Sequence, residues 1–66
     1  MKIKVNGQIK EVDSGIDLGK LLEQMQLNVD CVAVECNLEV LKRESFATTE
    51  LNDGDNLEIV QFVGGG

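Results

Sequence analysis

The sequence predicts an α+β fold, a mixed four- to five-stranded sheet with one main helix packed on one face. Three observations lead there. Met1-Lys2-Ile3-Lys4-Val5 alternates apolar and charged residues and runs into Asn6-Gly7, so a strand with one buried face enters a hairpin. Leu18, Leu21, Leu22 and Met25 fall at i, i+3, i+4 and i+7, a single apolar helical stripe. The apolar run Leu57 to Val63 supplies a last strand. A strand-helix-strand crossover is right-handed and sets that strand parallel to the first.

The elements follow in order. A type I′ turn needs positive φ at both central positions, which Asn6-Gly7 supplies, and Gln8 to Val12 then returns as the second strand. A two-residue turn puts Val12 on the core face with Met1, Ile3 and Val5 and sends Ile9 outward. Asp13-Ser14-Gly15 breaks the strand. Asp17 caps the helix, with Ile16 before it and Leu21 within it placed as a hydrophobic staple. Leu27 to Asp30 is a loop. Cys31-Val32-Ala33-Val34-Glu35 reads as a buried strand, Asn37-Leu38 as a turn, and Glu39-Val40-Leu41 as a short edge strand. Lys42 to Leu51 is an irregular or single-turn segment anchored by Phe46. Asn52-Asp53-Gly54-Asp55 is a tight turn before the last strand. Residues 1–62 form one domain and 63–66 a flexible glycine tail.

Composition narrows the function. A chain of 66 residues, 42% of them hydrophobic, makes one small core; at about 60 residues only about 60% of the unfolded surface is buried. No apolar run approaches the roughly 18 residues of a membrane span, and nothing resembles a signal peptide, so the expected location is cytoplasmic. Twelve acidic against six basic side chains leave a net charge of −6. That balance opposes nucleic-acid binding, which rests on Lys and Arg. It suits docking on a basic partner surface, and serves solubility equally well.

Side-chain catalysis finds little support. The chain has no His, Trp or Tyr, so Ser14 and Ser45 lack an imidazole to activate them. Asp53 and Asp55 sit in a turn, where carboxylates serve the backbone. Cys31 and Cys36, five apart on one strand, would point to opposite faces, which opposes both a disulfide and a two-thiol zinc site. Their C-x4-C spacing starts an iron–sulfur pattern that would continue at Glu39, so it stops there. Two buried small hydrophobes in a reducing compartment is the expected role. No metal site is expected. A binding module or a carrier remains.

Two features invite a partner. Leu57 and Ile59 share one face of the last strand, and Glu58, Val60 and Phe62 the other. One helix covers one side of a sheet, so Val60 and Phe62, with Val63 beside them, form a candidate docking patch. Beyond it lies Gly64-Gly65-Gly66. A frayed end looks like this, and so does a narrow tail able to enter a site where any Cβ would clash. In the second case the reactive group is the Gly66 carboxylate. At up to ~3.6 Å per residue, Gly64 to Gly66 reach about 10 Å past the sheet.

The layout ββαββ with an N-terminal hairpin and a Gly-Gly end is the β-grasp, or ubiquitin-like, plan. Met1-x-Ile3-x-Val5-Asn6-Gly7, the helix start into Leu21-Leu22, Arg43-Glu44 followed by Phe46, Asp53-Gly54-Asp55 and the Gly-Gly end together resemble the ThiS family, the sulfur carriers of thiamin biosynthesis. The resemblance spans the whole chain. It implies a carrier that is not itself an enzyme. An E1-like adenylyltransferase of the ThiF type uses ATP and Mg²⁺ to adenylate Gly66, and a sulfur donor system converts it to a thiocarboxylate. Thiazole synthase of the ThiG type takes the sulfur. The carrier itself binds no cofactor. Gly64, Gly65 and Gly66 would thread the partner active sites, and the free chain is expected to be a monomer.

Two positions depart from the family pattern. Lys42 stands where many relatives have Pro, and Gly64 where a small non-glycine residue is usual. The same tail chemistry also serves the small subunit of molybdopterin synthase and carriers for tRNA thiolation or amino-acid synthesis. A β-grasp interaction domain would leave the tail idle. The compact length favours the thiamin carrier.

Overall fold

The computed structural model describes residues 1–63. β1 (Lys2–Val5) and β2 (Gln8–Glu11) form the first hairpin. Its turn is left-handed at Asn6 (φ 52°) and Gly7 (φ 82°), the type I′ geometry that continues the twist of the strands. Val5 therefore faces Gln8 and Lys4 faces Ile9. This register buries Ile3 and Val5 and leaves Ile9 exposed, with Val12 packed at the core margin.

Helix α1 (Leu18–Gln24) starts where expected. Asp17 is extended, and its carboxylate accepts from the Lys20 amide at 2.7 Å, satisfying one of the free donors of the first turn. Leu18, Leu21 and Leu22 have no exposed surface; burying each contributes about 1.5–3 kcal/mol before the entropic cost of ordering it. The helix ends as Met25 caps it and Gln26 turns left-handed at φ 60°.

The chain then forms a 3₁₀ turn (Val29–Cys31), β3 (Val32–Cys36), β4 (Glu39–Leu41), a 3₁₀ segment (Arg43–Thr48) and β5 (Asn56–Gln61). Phe46 is the buried residue of that second segment and seats it on the core, as the sequence predicts. The sheet order is β2-β1-β5-β3-β4, with β5 parallel to β1 and antiparallel to β3. This is the β-grasp plan, with all five strands formed. Ile3, Val5, Val32, Val34, Leu57 and Ile59 meet the helix across one face.

Four details differ from the sequence reading. Cys31 is not in a strand. The Asn28 side chain accepts from the Asp30 amide at 2.9 Å and draws Val29–Cys31 into the 3₁₀ turn, so β3 begins at Val32. Both thiols are free and half-buried, not fully buried as small core hydrophobes. Ala33 is exposed, because β3 buries only one face where the sequence reads as a buried strand. Finally, β5 ends at Gln61, short of Val63. Gln61 pairs with Val32, the first residue of β3, so the ladder has no further strand residue to pair with.

Candidate functional site

β5 is the centre of the sheet, and it is held from both sides by turn asparagines. The Asn6 side chain accepts from the Ile59 amide at 2.8 Å and donates to the Ile59 carbonyl at 3.1 Å. On the other flank, the Asn37 side chain accepts from the Asn56 amide at 3.0 Å and donates to Asp55 Oδ1 at 3.0 Å. Each asparagine occupies a left-handed turn position, φ 52° in both cases. The type I′ turns thus do more than reverse the chain: their side chains extend the hydrogen bonding of the strand that leads to the tail.

Leu57 and Ile59 point into the core, so Glu58 and Val60 face outward. Val60 is 61% exposed, Phe62 43% and Val63 fully exposed. The structure therefore places the three predicted patch residues together at the surface, at the end of the central strand. Although Phe62 lies past β5, its amide still donates to the Cys31 carbonyl at 2.9 Å, which fixes the direction in which the chain leaves the sheet. Gly64, Gly65 and Gly66, the tail expected to enter partner sites, lie outside the described residues.

Cross-strand pairing adds residues that the sequence reading missed. Val60 lies directly opposite Ala33, Glu58 opposite Glu35, and Glu35 opposite Val40. Ala33, Val34, Glu35, Val40, Glu58 and Val60 line a shallow hollow of about 110 Å³. Val40 is 71% exposed. A second hollow, of about 330 Å³, lies toward the other edge, where Lys2, Lys4, Ile9 and Asn56 contribute to its lining. The open face is therefore divided. Its β1–β2 half carries the lysines, and its β5–β3–β4 half is apolar and acidic. Identifying Val40 and Ala33 from the sequence needed the strand order and register, which are long-range properties; the alternation in Glu39-Val40-Leu41 was the available signal.

The Cys36 thiol has a displaced pKa. Burial, then the charges of Asp55 and Glu39 and a hydrogen bond to Asp55, push its thiol up. A thiol held protonated is a poor nucleophile, which suits a packing role.

A five-stranded β-grasp sheet with β5 at its centre is the fold that the sequence resemblance called for. The ThiS family model matches residues 3–66. The chain belongs to the ThiS family. It is 42% identical over 67 residues to the sulfur carrier protein ThiS of Bacillus subtilis, covering 97% of this chain and 98% of that protein. It is 30% identical to ThiS of Escherichia coli, with both chains fully covered. The crystal structure of the thiamine biosynthesis protein ThiS from Geobacter metallireducens superimposes with a TM-score of 0.84 at 39% identity, again over the whole of both chains. A ThiS-like segment also occurs inside larger proteins. This chain is 41% identical over its full 66 residues to a thiazole synthase of Paramagnetospirillum magneticum, of which it spans a fifth of the length. A thiazole synthase of Magnetococcus marinus matches in the same proportion at 36% identity. Among the described residues, no helix is long and apolar enough to cross a membrane.

Proposed function

We propose that this chain is the sulfur carrier for thiazole formation in thiamin biosynthesis, a co-substrate and not an enzyme. The observation that carries the reading is the central strand β5. It is buried on one face, bonded on both edges, and runs into Phe62 and Val63, exposed residues that precede the glycines in the sequence.

The chemistry follows from the end group. A carboxylate is a poor acyl electrophile. An E1-like enzyme of the ThiF type, using ATP and Mg²⁺, would join the Gly66 carboxylate to AMP with release of pyrophosphate. Sulfide from the donor system then forms the C–S bond as the bond to AMP breaks, leaving a thiocarboxylate and free AMP. From a persulfide donor the first product would be an acyl disulfide, which a thiol reductant cleaves to the thiocarboxylate. Thiazole synthase of the ThiG type accepts that sulfur. The mixed anhydride needs a site closed to water, and Gly64 and Gly65 let the terminus enter one without side-chain clashes. Val60, Phe62 and Val63 give such a partner a surface to grip while the folded body stays outside.

The test is activation. With a ThiF-type enzyme, ATP and Mg²⁺, the full-length chain releases pyrophosphate. A chain lacking Gly66 releases none and keeps the same urea unfolding midpoint. Pyrophosphate release that survives the deletion refutes the assignment of Gly66.

A further inference from the structure

The strongest unexplained feature is the pair Glu35 and Glu58. They stand directly opposite each other on neighbouring antiparallel strands, on the solvent side of the sheet. Directly opposed side chains have Cβ atoms about 4.5–5.5 Å apart, and like charges placed so destabilise a sheet. Neither carboxylate forms an ion pair: among the described residues the one ion pair is Arg43 with Asp30, at 3.9 Å, and it lies elsewhere. Lys2 and Lys4 belong to β1 and line the other hollow. Around the two carboxylates are Ala33, Val40 and Val60. A free protein gains nothing from two anions set side by side among apolar groups at the middle of a sheet.

Resting on the carrier reading above, we propose that this half of the open face docks thiazole synthase, through an apolar surface bearing an arginine or lysine that enters between Glu35 and Glu58. Charge complementarity defines the occupant. One cationic side chain answers both carboxylates, and the rim of Ala33, Val40 and Val60 excludes water from the contact, which strengthens it. The choice of partner rests on the larger relatives. In the proteins of Paramagnetospirillum magneticum and Magnetococcus marinus named thiazole synthase, a segment matching all 66 residues of this chain belongs to the same polypeptide.

The pair would also set direction. It lies beside Val60, two residues short of Phe62, where the chain leaves the sheet. A cation seated between the glutamates therefore fixes the body with its tail-bearing end toward the partner. Binding, and not the chemistry at Gly66, is what the pair controls.

The experiment measures affinity of the full-length chain for a ThiG-type synthase by calorimetry at two salt concentrations. Glu35→Gln with Glu58→Gln is expected to weaken binding at least tenfold and to flatten its salt dependence. Glu23→Gln with Glu44→Gln removes the same net charge from α1 and the 3₁₀ segment, and is expected to leave affinity within twofold. Because opposed like charges are removed, the Glu35/Glu58 variant should also melt no lower than the parent, so its weaker binding is not unfolding. Equal losses in both variants would reduce the effect to long-range charge and overturn the proposal. So would unchanged synthase affinity, including the case in which only binding to the ThiF-type enzyme falls. If the parent chain makes pyrophosphate with that enzyme but does not bind the synthase, the docking proposal fails while the activation step stands. If it does neither, both fall.

Discussion

The two faces of the sheet are made by the same strands and follow opposite rules. On the helix side, Ile3, Leu57 and Val34 are at most 1% exposed, and the contacts are all apolar. On the open side, one residue further along each strand, stand Lys4, Glu58 and Glu35, with Val40 and Val60 more than half exposed. The closed face is organised for stability. The open face retains apolar surface and an opposed pair of like charges, neither of which helps the isolated chain. The difference separates the residues that make the fold from those left for a partner, often at adjacent positions.

Substitutions along β5 put that contrast to the test. Leu57→Ala opens a cavity beneath the central strand and is expected to cost about 2–5 kcal/mol, read from urea unfolding. For a domain this small, such a loss is a large part of the total stability. Next comes the clamp between the faces. Asn6→Ala removes both side-chain bonds to Ile59 and puts a Cβ-bearing residue without a polar side chain at φ 52°; a loss of about 1–3 kcal/mol is expected. Asn6→Gly tolerates the φ and loses the bonds, so the difference between the two variants isolates the backbone cost. On the open face, Val60→Asp should cost about 1 kcal/mol or less, yet reduce partner binding at least tenfold. If Val60→Asp destabilised the free chain as much as Leu57→Ala, the division between the faces would collapse.

The smallest effect is at Cys36. Its folded pKa is raised, so the folded chain keeps the proton to a higher pH than the unfolded chain does. This group's contribution to stability is therefore fully present below the unfolded thiol's pKa and is lost as pH rises through the folded value. Alkylation by iodoacetamide near pH 9, about where a free thiol ionises, should be slower at Cys36 in the folded protein than in the same chain in urea. Equal rates would contradict the account of its surroundings.

What the sequence made legible was mostly local. Asn6-Gly7 carries its turn type in its residue types, and Asp17 caps its helix through a bond within one turn. The exposure of Val60 and Phe62 followed from alternation with Leu57 and Ile59. Cys31 was misplaced because a side-chain bond from Asn28 competes with strand pairing, and an apolar run does not reveal that competition. Asn37-Leu38 read as a turn, but nothing in it indicated that Leu38 adopts φ 72° with its side chain 88% exposed. The Glu35–Glu58 pair was invisible for another reason. The partners are far apart in the chain, and only the register of β3 against β5 brings them together.

The central claim concerns the chain end, and one measurement addresses it most directly. The full-length protein is incubated with a ThiF-type enzyme, ATP, Mg²⁺ and a sulfur donor, then digested and weighed by mass spectrometry. The account predicts an oxygen-to-sulfur mass increase confined to the peptide ending in Gly66. An unchanged C-terminal peptide, or added sulfur found at Cys31 or Cys36 instead, would contradict it.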